Sequence, residues 1–114
     1  MPRPDPHALL PITNLSFHIL LALGDGKSHG YAIGKDVEAR SHGRLNPATG
    51  SLYQALRRLA DDGLIDETAG PAGGDARRQY FRLTTFGKRV AALEGARLQE
   101  LIRAARAKQL MPEA

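Results

Sequence analysis

One predicted helix carries polar side chains in an order that suits contact with DNA. In the run 49–58, small polar residues come first and the cations come later, and a helix that reads the major groove enters it with its N-terminal end leading. Ser51 could hydrogen-bond a phosphate or a base edge, Gln54 could pair with adenine, and either arginine could pair with guanine or bind phosphate. The residues of this helix predicted to face DNA are Thr49, Gly50, Ser51, Gln54, Arg57 and Arg58.

A second group of cations follows a flexible segment. The stretch 70–75 is rich in glycine and proline, and Arg77, Arg78 and Gln79 come directly after it. Strand-like runs flank this stretch, which predicts a β-hairpin with a mobile tip. Cations beside such a tip suit contact with phosphates or the minor groove. Taken singly, these arginines also fit solvated surface positions, but together the two polar groups favour DNA.

Other chemistries have weaker support. The segment 24–28, Gly-Asp-Gly-Lys-Ser, resembles the end of a phosphate-binding loop, but the first glycine of that motif would fall at Leu21, inside a predicted helix. The acidic pairs 61–62 and 66–67 could imitate the paired carboxylates of an active site. They fall at a predicted helix end and on a predicted strand, where solvated carboxylates are usual. The four histidines have no spacing typical of a metal site. We therefore predict a protein that is not an enzyme, with no catalytic residue, no metal and no cofactor.

Composition and charge bound the class of protein. The chain has 114 residues and a formal net charge of +4, with 16 Lys+Arg against 12 Asp+Glu. The positive excess lies in residues 70–114, where we count 9 basic and 4 acidic side chains, and such asymmetry favours a polyanionic partner. The absence of cysteine excludes disulfides and thiol chemistry. No apolar run is long enough for a membrane span and the opening residues lack a signal-peptide core, so we expect a cytoplasmic protein without a membrane partner.

Local signals predict the elements that position these side chains. Thr13 or Asn14 could cap a first helix, and Ser28 or His29 a second. The Asn-Pro pair at 46–47 predicts the start of a third helix, and Gly63 its end. Two short strands at 64–68 and 77–83 follow, and then a helix from Thr84 or Thr85 to about Leu110.

The last helix implies a second copy of the chain. A helix spanning 85–110 would be ~39 Å long, so its distal half would project from a domain of this size. That half keeps an apolar stripe, which would expose sticky surface without a partner. The first helix is also apolar on two sides, and one cover could come from another chain. We therefore predict a homodimer with interface residues Leu15, Ile19, Leu98, Leu101, Ile102 and Ala105.

The resulting order α-α-α-β-β-α predicts a mainly α (α+β) winged helix-turn-helix. The predicted organisation is a disordered tail over 1–12, a DNA-binding domain over 13–84, a dimerisation helix over 85–110 and a tail over 111–114.

Several motifs together resemble the PadR family of transcriptional regulators. They are Phe17-His-Ile-Leu-Leu-Ala-Leu23, His29-Gly-Tyr-Ala-Ile33, Gly50-Ser-Leu-Tyr-Gln-Ala-Leu-Arg-Arg-Leu59, Gly63-Leu-Ile65 and Arg77-Arg-Gln-Tyr-Phe-Arg-Leu-Thr-Thr-Phe-Gly87. The resemblance extends over roughly Leu15 to Ala107, and the short C-terminal region resembles the small subfamily with one dimerisation helix.

The resemblance implies a homodimeric regulator, usually a repressor, that binds a palindromic operator in double-stranded DNA. It implies that Tyr31 and Tyr53 contact the DNA backbone, that Ser51 and its neighbours enter the groove, and that Arg77 and Arg78 bind phosphates at the wing. Some relatives bind flat aromatic molecules between subunits, so a small hydrophobic or aromatic effector is a further expected partner.

Two alternatives stay open at this point. The third-helix face of a winged helix could bind another protein instead of DNA. A small hydrolase or nucleotide-binding enzyme would depend on the imperfect glycine loop near Lys27.

Overall fold

The computed structural model describes residues 5–112, apart from the side chain of Thr49. Within these residues the elements are a 3-10 helix Pro6–Leu9, α1 Asn14–Ala22, β1 Ser28–His29, α2 Gly30–Arg40, α3 Thr49–Asp61, β2 Ile65–Thr68, β3 Tyr80–Leu83 and α4 Thr85–Ala107. The predicted mainly helical fold with a β-hairpin before a long last helix is confirmed. No helix in this part of the chain is long and apolar enough to cross a membrane.

The first two helices begin where local capping predicts. The Thr13 side chain accepts a hydrogen bond from the Ser16 N–H at 3.0 Å, so Thr13 caps α1. At α2, Nδ1 of His29 lies 3.3 Å from the Ala32 N–H and caps the helix in the tautomer in which that nitrogen accepts. A side-chain acceptor at this position satisfies one of the N–H groups that a helix start leaves without an intrahelical partner.

The third helix begins later than predicted. Its N-cap is Ala48, which makes no side-chain capping bond, and the helix starts at Thr49 rather than Pro47. The Asn46 prediction is therefore wrong. Proline restricts φ to a value that helical and extended backbone share, so it does not decide ψ. The residue after the proline, Ala48, has a ψ of 151°, which is not helical.

The end of α3 follows the predicted glycine signal. Gly63 has a φ of +81°, a conformation that glycine adopts without steric cost. Its N–H donates to the Ala60 carbonyl, and the Leu64 N–H donates to the Leu59 carbonyl at 2.9 Å. These are the two bonds of a Schellman motif, which turns the chain directly into β2.

A short strand that was not predicted, β1, joins the hairpin. The sheet order is β1-β3-β2, with all neighbours antiparallel, and His29 lies opposite Tyr80 in the register. A two-residue strand is too short to show alternation, and its partner lies about fifty residues away in the chain. This pairing brings the start of α2 against the hairpin.

The core lies between the helices and the inner face of the sheet. Its buried apolar side chains are Ile19, Leu20, Leu23, Ile33, Val37, Leu52, Leu56, Leu59, Leu64, Ile65, Phe81 and Val90. Where α4 starts, a Cβ on Gly87 would lie 1.9 Å from the Leu64 carbonyl oxygen, so only glycine allows this approach.

The N-terminal segment corrects the prediction of a disordered tail. Residues 5–12 include the 3-10 helix, which packs against α4. The Ile12 N–H donates to Oε2 of Glu94 at 3.0 Å, and Glu94 is 2% exposed. Proline-rich composition gave no sign of this contact because its acceptor lies 82 residues away. Residues 1–4 of the predicted tail lie outside the described residues.

The long helix α4 is shorter than predicted and keeps an exposed apolar stripe. It ends at Ala107, since Gln109 adopts a φ of +59° and the Leu110 N–H bonds back to the Ala105 carbonyl. Leu101 and Ile102 are 54% and 39% exposed. Of the other predicted interface residues, Leu15, Leu98 and Ala105 are half-buried.

The prediction that Ile19 lies in the dimer interface is wrong. It is 0% exposed within its own chain, so its side chain presents no surface to a second copy. The amphipathic pattern of α1 identified Ile19 as apolar, but only the packed fold decides which of two apolar faces the same chain covers.

Candidate nucleic-acid interface

The outer face of α3 is polar and exposed. Leu52, Leu56 and Leu59 are buried in the core. Because these residues recur at helical spacing, they share one face of α3 and the opposite face is exposed to solvent. The exposed residues on the outer side are Gly50, Ser51, Gln54, Arg57 and Arg58. Among the ion pairs within residues 5–112, none involves Arg57 or Arg58. Their guanidinium groups are therefore available to an anion.

The β2–β3 hairpin forms a wing with an exposed loop over 69–79. Arg77 is held at the loop by Asp75, whose carboxylate accepts from the Arg77 N–H at 2.9 Å and from its Nε at 3.3 Å. These bonds, from the backbone first and the side chain second, lower the pKa of Asp75. The Arg77 side chain is still 91% exposed, so its charge can reach a ligand.

Arg78 contacts a residue at the start of α2 instead of a carboxylate. Its Nη1 lies 2.9 Å from Nε2 of His29. The His29 ring also packs edge-to-face on Tyr80, with ring centroids 5.2 Å apart. Burial, and then the positive charge of Arg78, lower the pKa of His29. The position of His29 at a helix start was predicted, but this contact was not, because it joins positions 49 residues apart.

A cleft of about 240 Å³ lies between the wing and the start of α2. Its lining residues come from β1, α2, α3 and the wing, and their side chains include no carboxylate. They are His29, Gly30, Tyr31, Tyr53, Arg77, Arg78 and Gln79. The first N–H groups of a helix lack intrahelical partners and carry partial positive charge. Two arginines, two phenols and a helix N-terminus together make a site suited to one phosphate group.

Two tyrosines border this cleft. Tyr31 is 68% exposed, and the Lys35 ammonium lies 5.7 Å from its ring centroid. The Tyr53 ring crosses Gly30 so closely that a Cβ there would lie 2.6 Å from the Tyr53 hydroxyl. A phenol in such a position can donate a hydrogen bond to a phosphate oxygen.

The predicted DNA-facing residues thus fall into two sets. Tyr31, Tyr53, Arg77 and Arg78 are brought together at the cleft. The α3 residues Gln54, Arg57 and Arg58 do not line it and form a separate face. The backbone of Thr49 begins α3, and its side chain lies outside the described atoms.

The glycine-rich segment near Lys27 has the structure of a turn. It follows helix α1 instead of a strand, and the Lys27 ammonium donates to the Ala69 carbonyl at 2.8 Å. The segment therefore lacks the strand that precedes a phosphate-binding loop of this type. Within the described ranges, no cluster of three or more His, Asp or Glu side chains is arranged to hold a metal ion.

Comparison with known proteins matches this chain to a family of transcriptional regulators. The family model described as "Transcriptional regulator PadR-like family" matches residues 19–93. The transcriptional regulator Rv3488 of Mycobacterium tuberculosis is 34% identical over 86 residues, which cover 75% of this chain and 77% of that protein. An uncharacterized 37.1 kDa protein in transposon TN4556 of Streptomyces fradiae is 39% identical over 83 residues; these cover 73% of this chain but only 22% of that longer protein.

A solved structure shares the fold. Bacillus subtilis PadR in complex with operator DNA superimposes with a TM-score of 0.60 at 24% identity, over 70% of this chain and 45% of that one.

Proposed function

The chain belongs to the PadR-like family of transcriptional regulators, and from that premise we propose that it binds operator DNA as a homodimer, through α3 and the wing. The observation that carries this proposal is the cleft, where a helix N-terminus, two tyrosines and two arginines converge beside the exposed polar face of α3. The Bacillus subtilis relative was solved with operator DNA, which supports the same partner for this chain.

In this proposal α3 reads bases and the cleft binds the backbone. The exposed N-terminal half of α3 enters the major groove, where Ser51 and Gln54 contact base edges and Gly50 allows close backbone approach. Arg57 and Arg58 lie further along the same exposed face and bind guanine or a flanking phosphate. Phosphate contacts fix the register of the protein on the duplex, whereas base contacts provide the specificity.

The cleft accepts one backbone phosphate. Tyr31 and Tyr53 donate hydrogen bonds to it, and Arg77 and Arg78 supply charge. Because bound cations release counterions from DNA, affinity falls steeply as the salt concentration rises.

The exposed stripe on α4 supports the proposed homodimer. Leu101 and Ile102 are apolar and exposed, beside the half-buried Leu98 and Ala105, and a second α4 packed on them removes that surface from water. Two copies related by a two-fold axis bind a palindromic operator. In this organisation residues 13–84 form the DNA-binding unit and α4 the dimerisation helix. The protein acts in the cytoplasm as a repressor, and its operator overlaps a promoter.

A small hydrophobic or aromatic effector is part of the proposal. A second cavity, of about 340 Å³, lies between α2 and α3 and shares Tyr31 and Tyr53 with the cleft. Because the two tyrosines are shared, an aromatic molecule in that cavity competes with DNA for them. Thermal stabilisation by flat aromatic compounds, together with release of bound DNA, tests this part of the proposal.

The main test is selection of DNA fragments from the source genome by the purified protein, followed by anisotropy titration of a selected and a scrambled duplex. We expect the selected duplex to bind at least ~10³-fold more tightly, with affinity that drops between about 50 and 200 mM salt. Heparin should compete with both duplexes. Absence of duplex binding even in dilute buffer contradicts the proposal and favours the protein-interaction alternative for the α3 face.

A further inference from the structure

His29 touches two elements of the interface at once. Its Nδ1 faces the Ala32 N–H of α2 at 3.3 Å, and its Nε2 faces Nη1 of Arg78 on the wing at 2.9 Å. The ring is fixed in place from a third side by the edge-to-face contact with Tyr80, its register partner across β1 and β3.

Both neighbours of the imidazole are hydrogen-bond donors. A backbone N–H and a guanidinium can only donate, whereas a neutral imidazole accepts at one ring nitrogen and carries a proton on the other. His29 therefore serves either α2 or Arg78 as acceptor, and the contact to Arg78 is the shorter of the two. An imidazolium accepts at neither nitrogen, so only the neutral form can hold Arg78.

The position of the Arg78 side chain depends on His29, whereas that of Arg77 depends on a different residue. Arg77 is held by Asp75 through its backbone N–H and its Nε. Among the described residues, the hydrogen-bonding partner of the Arg78 side chain is His29 alone. A guanidinium has five N–H donors, so Arg78 can remain on His29 and still present others to the cleft.

We propose that His29 is a positioning residue of the DNA interface: it holds Arg78 at the edge of the cleft, so that the wing and the start of α2 form one phosphate site before DNA arrives. The inference rests on the proposed DNA binding. Its physical basis is preorganisation, because a long side chain that is already ordered loses less rotamer freedom when it binds.

The electrostatic surroundings of His29 favour its neutral form. Arg78 contacts it from the wing and Tyr80 from β3, and Arg77, Tyr31 and Tyr53 line the same cleft. Burial and the positive charge of Arg78 both oppose a charge on the imidazole and lower the pKa of His29, whereas Arg77 is paired with Asp75.

The decisive variant is His29→Asn, measured by anisotropy on the selected duplex. Asparagine is a good N-cap, so α2 has a capping acceptor whichever ring nitrogen accepts in the wild type, but its side chain is too short to reach Arg78. We expect affinity to fall by about 2- to 10-fold, the loss that corresponds to ordering one long side chain. If the effect passes through Arg78, His29→Asn causes no further loss in an Arg78→Ala background and keeps its full effect in an Arg77→Ala background. An equal loss in all three backgrounds overturns the proposal, since it shows a general effect on folding.

A second measurement needs no DNA and leaves His29 in place. The imidazole is titrated by NMR in the wild type and in Arg78→Ala and Arg77→Ala. We expect Arg78→Ala to raise the pKa of His29 and Arg77→Ala to leave it unchanged; an unchanged pKa in Arg78→Ala removes the contact and the proposal with it. The two failures are distinguishable: a wild type that binds no duplex defeats the proposed function, whereas a wild type that binds, with a His29→Asn loss that persists without Arg78, defeats only this inference.

Discussion

Gly30 and Tyr53 are in contact at a distance that leaves no space for a side chain on Gly30. A Cβ there would lie 2.6 Å from the Tyr53 hydroxyl and 2.9 Å from the ring carbon that bears it. This contact places the end of α2 that faces the cleft directly under the phenol of α3. The geometry of the candidate phosphate site therefore depends on a missing methyl group.

Gly30→Ala is expected to weaken DNA binding more than folding. The clashing atoms are at the far end of the Tyr53 side chain, which can swing outward, so the methyl group displaces the phenol from the cleft. We expect about a 10-fold loss of affinity, as for loss of one hydrogen bond to a charged group. Tyr53→Phe, which removes only the hydroxyl, should show a similar loss. Gly95→Ala on α4, where nothing lies within 4 Å of an added Cβ, is the matched control and should leave affinity unchanged while raising the unfolding free energy by up to ~1 kcal/mol.

Arg77→Ala and Gln54→Ala should affect binding in different ways. Removing a phosphate contact weakens selected and scrambled duplexes alike and lowers the slope of log affinity against log salt by about 1. Removing a base contact reduces the preference between duplexes, by ~1–3 kcal/mol at one base pair. Titration of both duplexes over a salt series separates these effects. The assignment of α3 to base reading is contradicted if both variants change the two duplexes equally. Arg106→Ala, which removes the same charge near the end of α4, is the control for net charge.

Leu101→Glu should convert the protein to a monomer. A carboxylate on the exposed stripe of α4 would be buried without a partner in the proposed dimer, and burial of an unpaired charge is strongly destabilising. Sedimentation measures the oligomeric state, and operator affinity should fall with it. Leu110→Glu, at an exposed position beyond the end of α4, is the control and should remain dimeric. A Leu101→Glu protein that stays dimeric places the interface elsewhere.

Glu94 should make stability depend on acid pH. Hydrogen bonding to Arg97 first, and to the Ile12 N–H as well, lowers the pKa of Glu94 in spite of its burial. Because the folded-state pKa lies below the unfolded-state pKa, the contribution of the carboxylate to stability is fully present at pH values above the unfolded-state pKa. This contribution is lost as pH falls through the folded-state pKa.

The test is chemical denaturation of wild type and Glu94→Gln at neutral and at acid pH. At neutral pH we expect the variant to be less stable by ~1–3 kcal/mol, the cost of weakening buried hydrogen bonds that involve a charge. The difference should shrink in acid, where the wild-type carboxyl is itself protonated. Glu100→Gln, on an exposed position of the same helix, should cause no such difference. A Glu94→Gln deficit that does not change with pH contradicts the role of the charge.

Structural features that depend on residues close together in the sequence were mostly predicted correctly. Thr13 caps α1 by accepting a hydrogen bond from the N–H of Ser16, three residues later in the chain. Gly63 ends α3 through hydrogen bonds to the last turn of the helix. The Asn46 cap was wrong, although it is also a local signal, because the proline after it is compatible with two backbone conformations. The polar face of α3 was predicted correctly because the period of its apolar residues determines which side is buried.

Contacts between distant residues were not predicted. The bond from Ile12 to Glu94 orders a segment whose composition indicates disorder, and the contact between His29 and Arg78 depends on pairing of β1 with β3. Neither residue type nor spacing carries information about a partner that is brought near only when the chain folds.

The sequence by itself determined the family, the order of the elements and the two polar groups that could face DNA, since periodicity, caps and turn residues are local properties of the chain. Only the tertiary structure decided that Ile19 is enclosed by its own chain, that Glu94 binds the N-terminal segment, and that His29, Tyr53 and Arg78 meet at one cleft. These outcomes depend on packing and on strand pairing across long stretches of sequence, where the geometry of the whole fold selects each neighbour.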